Sequence, residues 1–223
     1  MMTNLFSMFD PSTSLNLSLN WLTLMILLML IPLKFWIIPN NMHMIYNNMI
    51  KMLFNEFKII INLKKNNNFN LMFISMFMFI MINNFMGLFP YIFTSTSHLS
   101  INLSITLPLW MSMMMYGWIN KINHMFTHLV PQGTPNILIP FMVLIESISN
   151  IIRPITLTVR LTANMIAGHL LLTLLGNMGP KLNIMMMPML IIIQTILLML
   201  ESAVSIIQAY VFSVLLTLYT SEI

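Results

Sequence analysis

NILIPFMVLIESISNIIRPITLTVRLTANMIAGHLLLTLLG, residues 136–176, decides the fold. As a helix rising about 1.5 Å per residue it extends roughly 60 Å, about twice the hydrocarbon thickness of a bilayer. Either it breaks into two spans, with Pro154 as the only obvious turn, or it crosses the membrane steeply tilted. A second overlong apolar run, residues 185–220, is interrupted only by Pro188. The loop between them, NMGPKLN (177–183), is short, which predicts a slanted helical hairpin. The first run also carries Arg160, Asn164 and His169. Arginine does not release its proton in a protein, and burying its charge costs several kcal/mol. Its presence there calls for a function.

The rest of the chain agrees with a membrane setting. Of 223 residues, 58% are hydrophobic and only 6% charged, with a mean hydropathy of +0.88. Soluble domains carry about 25% charged residues, so a water-facing surface cannot be made from this composition. The predicted class is an all-α integral membrane protein, 1–223 as a single domain, with about five membrane-embedded helices and one in-plane amphipathic helix. There is no cysteine, which excludes disulfides, thiolate metal sites and cysteine nucleophiles. The net charge of +4 is too thinly spread for nucleic acid. Abundant Met, Ile and Asn with little Gly hint at an AT-rich, organellar genome. MMTNLFSMFDPSTS at the N-terminus has neither a basic n-region nor an Arg-rich presequence, as expected of a protein made inside an organelle.

Outward from the hairpin, residues 19–39 are long enough to span, with Trp21 and Trp36 at belt positions near the ends. In residues 42–65, His43, Asn47, Lys51, Asn55, Lys58 and Asn62 recur every three or four positions. That single polar stripe predicts a helix lying in the membrane surface; as a span it would place Lys51, Glu56 and Lys58 in hydrocarbon. Residues 69–93 form a further predicted span closing at Gly87 and Pro90, and 99–119 another with Pro108 inside. KINHMFTHLVPQGTP (121–135) reads as a polar loop. Lys34, Lys51, Lys58, Lys64 and Lys65 crowd one connection, and the loop around TSTSHLS has no lysine. The positive-inside rule then puts the N-terminus outside and the C-terminus inside.

On a helical wheel at about 100° per residue, Glu146, Ser149, Arg153, Thr156, Ala163, Asn164 and Ala167 fall within roughly 60° of Arg160. His169 lies on the opposite side. Alanines beside the arginine allow close approach of another helix. In the last helix, Ser205, Gln208, Tyr219 and Glu222 fall within about 60° of Glu201, and Glu201 to Glu222 covers roughly 32 Å. The sequence thus sets titratable groups at two depths, Glu146 and Glu222 inward and His169 and Glu201 outward, with a permanent cation between. Two offset proton paths need such an arrangement. Glu and His within a membrane exchange protons. A group that keeps its proton and repels cations prevents a leak, and draws the proton from an acid brought beside it.

Pro131 to Pro135 (P-x-G-T-P), Ile145–Glu146, R-L-T-A-N-M-I-A-G-H from Arg160 to His169, and E-x6-Q-A-Y-V-F from Glu201 to Phe212 resemble the a subunit of the F-type ATP synthase, mitochondrial form. The similarity runs through essentially the whole chain in order, most specifically over residues 131–213. It implies a stator subunit of the mitochondrial inner membrane, partnered by a c-subunit ring, the peripheral stalk and other membrane subunits. It implies that Arg160 faces each ring carboxylate, with Asn164 and Gln208 beside it. His169 and Glu201 would line the half-channel from the intermembrane side, and Glu146 and Glu222 that to the matrix. The C-terminus would lie in the matrix, and ATP chemistry on other subunits.

Other readings stand beside this one. Arg160 could be the buried partner of Glu146, Glu201 or the C-terminus. The chain could be a self-contained transporter or channel, or a structural subunit of a respiratory complex. Arg153 is either a helix stabiliser or an aid in steering the carboxylate, and Ser205 a supporting polar group. His124 and His128 have the i, i+4 spacing of metal ligands, but without a third ligand nearby they read as loop residues. His43 and His98 read as interface residues, and the methionines as filler. No cofactor, metal or nucleic acid is expected.

Overall fold

The computed structural model describes residues 5–13, 17–25, 29–32, 38–61, 68–89, 91–130 and 135–222, except the side chains of Asn68, Asn136, Lys181, Ile184 and Glu222. Its α-helices are α1 (Asn41–Ile61), α2 (Asn68–Gly87), α3 (Leu99–Asn120), α4 (Ile122–His128), α5 (Ile139–Met178) and α6 (Met187–Glu222). Short 3-10 turns lie among them, and the described residues form no β-sheet.

The run that decides the fold is one unbroken helix. α5 has 40 residues and passes through Pro154 without ending. A proline inside a helix loses one backbone hydrogen bond and tends to kink it, yet neighbouring helices and hydroxyl side chains allow it within membranes. α6 has 36 residues. At about 1.5 Å per residue both exceed a bilayer's hydrocarbon depth of about 30 Å, so neither fits it upright. Two 3-10 turns, Gly179–Lys181 and Ile184–Met186, reverse the chain between them.

The hairpin is antiparallel with a well-marked register. A Cβ on Gly176 would lie 3.9 Å from Nε2 of Gln194, and one on Gly168 would strike Glu201. Further along, the Arg153 guanidinium sits 5.2 Å from the Tyr219 ring centroid. Arg160, seven residues beyond Arg153, is therefore level with residues 209–212 of α6. We call the end at residues 179–186 the turn end and the opposite end the open end.

α2 runs beside this hairpin. Gly87, at its C-terminus, faces Met165 of α5, whose Cε would lie 3.1 Å from an added Cβ. Near its N-terminus, Phe69 and Met72 share a cavity wall with Thr220, Ser112 and Tyr116. α2 thus starts at the open end and finishes at the turn end, and α3 returns. Phe73 and Phe77 of α2, Leu157 and Leu161 of α5, and Phe212 and Leu216 of α6 meet in one central apolar cluster. α1 lies against it through Phe57, which is fully buried.

Among the described residues, three helices are both long and apolar enough to cross a membrane, over Phe69–Gly87, Ile139–Met178 and Met187–Ser221. These are the evident part of the five or so expected. α3 has the length, 22 residues, but Asn102, Ser104, Thr106 and Ser112 dilute its apolar character. Of the expected first span, 19–25, 29–32 and 38–39 are described. Leu19–Met25 is a 3-10 helix, held at its polar residues: the Asn20 amide donates to the Asp10 carbonyl and the Thr23 hydroxyl to the Asn20 carbonyl. Residues 26–28 and 33–37 of that expected span, and 62–65 of the expected in-plane helix, lie outside the described residues. In α1, Lys51, Asn55 and Lys58 are exposed, as the stripe requires, but His43 and Asn47 turn partly inward.

Candidate functional site

The conspicuous feature is a difference between two arginines two helical turns apart on one face of α5. Arg153 is engaged within the chain: its guanidinium reaches Glu146 at 3.5 Å and lies over the Tyr219 ring. Arg160 is exposed, and among the described residues no group forms an ion pair or hydrogen bond with it. Ala163 and Ala167 are exposed beside it, and Asn164 is half-buried. The strip is smooth, with one permanent charge aimed off the molecule. Glu146 pairs with Arg153, so the alternative of Arg160 as a buried partner of Glu146 does not hold. Nor does Glu201 pair with Arg160, because its two oxygens have no partner.

His169 and Glu201 occupy one level toward the turn end. His169 is 7% exposed and Glu201 5%. Glu201 lies directly against Gly168, where an added Cβ would land on its Oε1 and Cδ. Gly168 is therefore the notch that admits the carboxylate between the two helices. The Phe9 ring stands edge-on to the His169 ring with centroids 6.3 Å apart, and Nε2 has no partner among the described residues. Burying polar atoms without partners costs free energy, so a folded chain keeps them where water or another group can reach. Beside His169 a cavity of about 390 Å³ opens between the N-terminal segment, the loop after α2, and α5 and α6, with Thr173, Gln194 and Thr195 among its walls. Its size admits several waters.

More polar groups gather at this end. Asn83 and Asn84 close α2, and residues Thr94, Ser95, Thr96 and Ser97 form a buried turn. The Ser97 hydroxyl donates to the Thr94 carbonyl at 2.7 Å, and the Asn102 amide donates to the Thr96 carbonyl at 2.8 Å. Trp21, Phe93 and His98 pack ring to ring against the loop.

The open end is built differently. Glu146 and Arg153 keep about a quarter of their side-chain surface exposed. Beside them a notch of about 30 Å³ is bordered by His128, Asn150, Arg153 and Tyr219. The His124 and His128 rings are roughly parallel, 6.5 Å apart, and no group of three metal-ligating side chains occurs among the described residues. Glu222 closes α6, but its side chain lies outside the described residues, as do residues 131–134 of the P-x-G-T-P stretch. On the polar line of α6, Ser205 is buried and donates to the Ser202 carbonyl at 2.7 Å. Gln208 is half-buried.

Sequence reasoning brings Arg160, Asn164, His169, Glu201 and Gln208 to one hairpin, and the structure places them there. It missed Gly168, Asn83, Asn84 and the 94–97 turn. Gly168 had a signal: a lone glycine inside a helix costs about 1 kcal/mol relative to alanine and usually has a packing reason. The asparagines had none, since nothing local tells which neighbour they face.

Comparison with known proteins identifies relatives along the whole chain. A family model described as ATP synthase A chain matches residues 17–221. Proteins named ATP synthase subunit a from Anopheles quadrimaculatus and Locusta migratoria are each 62% identical, and one from Drosophila yakuba is 60% identical. Each alignment covers all of both chains.

Proposed function

The chain belongs to the ATP synthase A chain family, and from that premise we propose that it is the stationary wall of a rotary proton path in the mitochondrial inner membrane. Its partners are a ring of c subunits against the Arg160 face, the peripheral stalk and other membrane subunits. The N-terminus faces the intermembrane space and the C-terminus the matrix, following the lysine-rich connection.

In the direction of ATP synthesis, protons enter by the cavity at the turn end and pass His169 and Glu201 to a ring carboxylate. The neutralised carboxylate travels through lipid and returns on the far side. There Arg160, an adjacent cation, lowers the acid's affinity for its proton, which leaves toward the matrix past Glu146 and Glu222. Arg160 cannot pass a proton on, so the two half-channels stay separate at that point. Asn164 and Gln208 orient groups beside the guanidinium, and Ser205 supports the Glu201 side of α6. Each proton brings ~2.3 kcal/mol per 100 mV of membrane potential. The chemistry of ATP itself belongs to other subunits.

The observation that carries this reading is the exposed, unpartnered state of Arg160 beside an Arg153 that is engaged. A guanidinium that meets no carboxylate among the described residues is suited to one supplied from outside. The test is proton-driven ATP synthesis by the reconstituted complex. Arg160→Ala is expected to reduce it to background, and full synthesis in an assembled Arg160→Ala complex rejects the mechanism.

A further inference from the structure

Arg160 guards only the outward face of α5. Behind it, the same stretch of helix presents Leu157 and Leu161 to the interior, both nearly inaccessible. There they join Phe73 and Phe77 of α2 and Phe212 of α6. The hairpin register puts residues 209–212 level with Arg160, so Phe212 lies at the arginine's own depth, and Phe77 and Phe73 of α2 continue the apolar layer toward the open end. Phe73 and Phe212 are 0% and 1% exposed.

Unsatisfied polar groups lie on either side of that layer. Toward the turn end, buried atoms of Asn83, Asn84, Thr96, His98, His169 and Glu201 lack partners among the described residues. Toward the open end, both amide atoms of Asn70 lack them, although its side chain is fully buried. Asn70 and Asn84 fall on the same face of α2, about 20 Å apart, with Phe73 and Phe77 on that face between them. At the intermediate depth the buried hydroxyls of Thr158, Thr162 and Ser213 donate to carbonyls of their own helices, and offer no proton outward. Buried amides without partners are where internal water settles. Water drawn in from both ends along that face of α2 would meet Phe73 and Phe77 between the two asparagines, and an apolar constriction stops conduction by staying dry.

We infer that the Phe73–Phe77–Phe212 layer is a second proton seal, closing behind α5 the route that the Arg160 guanidinium closes in front. The inference rests on the half-channel reading above and adds a role for α2 as the rear wall of both paths.

The test reads passive proton flux through the reconstituted complex with the ring locked to the stator by a cross-link, so that no proton crosses by rotation. Phe77→Asn and Phe212→Ser place a water-holding group in the layer. Their locked complexes are expected to pass protons at least about tenfold faster than the locked wild type, whereas Phe77→Leu, which keeps the layer apolar, stays at the wild-type level. Wild-type flux in both polar variants, or an equal rise in Phe77→Leu, overturns the inference. If neither polar variant assembles, Phe73→Ala and Phe77→Ala thin the layer without adding a polar group. A raised locked flux in them then supports the seal, and an unchanged one overturns it. The Arg160→Ala synthesis assay is read without the lock, so the seal and the half-channel mechanism fail independently.

Discussion

The two ends of the α5–α6 hairpin treat their carboxylates in opposite ways. At the turn end Glu201 is buried with both oxygens unpartnered, close to an unpartnered His169 nitrogen and a cavity of about 390 Å³. At the open end Glu146 is partly exposed, paired with Arg153 at 3.5 Å, and beside a notch of only about 30 Å³. A buried acid without a partner gains and loses its proton with its surroundings. The carboxylate at the open end instead has an ion-pair partner in its own helix. On the proposed half-channel reading, the difference makes proton entry depend on individual buried side chains, whereas proton exit runs through a shallower region where any one group matters less.

The sharpest challenge to that contrast compares the two acids directly. Glu201→Gln removes the exchangeable group at the turn end and is expected to lower proton-driven synthesis about a hundredfold, the scale of losing a positioned proton-transfer group. Glu146→Gln, measured in the same assay, is expected to keep most of the activity. Equal losses would erase the distinction between the ends.

A smaller effect is expected where packing rather than protonation is changed. Gly168→Ala adds a Cβ on top of the Glu201 carboxylate. Overpacking of this kind costs about 1–3 kcal/mol, and here it displaces the acid itself. Synthesis is expected to fall several-fold, more than for Gly176→Ala, where the nearest group lies 3.9 Å away. Equal tolerance of both alanines would show that the notch does not set the position of Glu201.

The smallest effect belongs to the open-end ion pair. A double-mutant cycle with Glu146→Gln and Arg153→Ala, read as complex stability, is expected to give a coupling of roughly 0–1 kcal/mol, typical of partly exposed pairs. A coupling several times larger would mean that the pair is the structural clamp of α5 and that the open end is no shallower than the turn end.

Much of this was legible in the sequence, and the reasons vary by residue. The 136–176 run announced a helix longer than a bilayer is thick, because apolar length is a local property. The polar face around Arg160 followed from periodicity alone. Periodicity also placed Glu146 and Arg153 near Arg160, but it cannot say which arginine the acid takes; that depends on side-chain reach and on Tyr219 arriving from another helix. The layer of Phe73, Phe77 and Phe212 was invisible for the same reason, since three phenylalanines in apolar runs look like any others until three helices converge. At residues 19–25 composition does not tell a 3-10 helix from an α-helix, and the Asn20 amide bond to the Asp10 carbonyl joins residues ten apart, which no local pattern shows.

The central claim is that a neighbouring subunit brings its acid to the exposed strip that holds Arg160. The chain has no cysteine, so Ala163→Cys or Ala167→Cys introduces one unique thiol beside the guanidinium. Oxidation of the assembled complex, with a second cysteine next to the ring carboxylate, traps the two only if their Cα atoms come within about 7 Å. The account predicts a cross-link between this chain and the ring at both positions. A complex that assembles and turns over, yet gives no adduct at either, would contradict it.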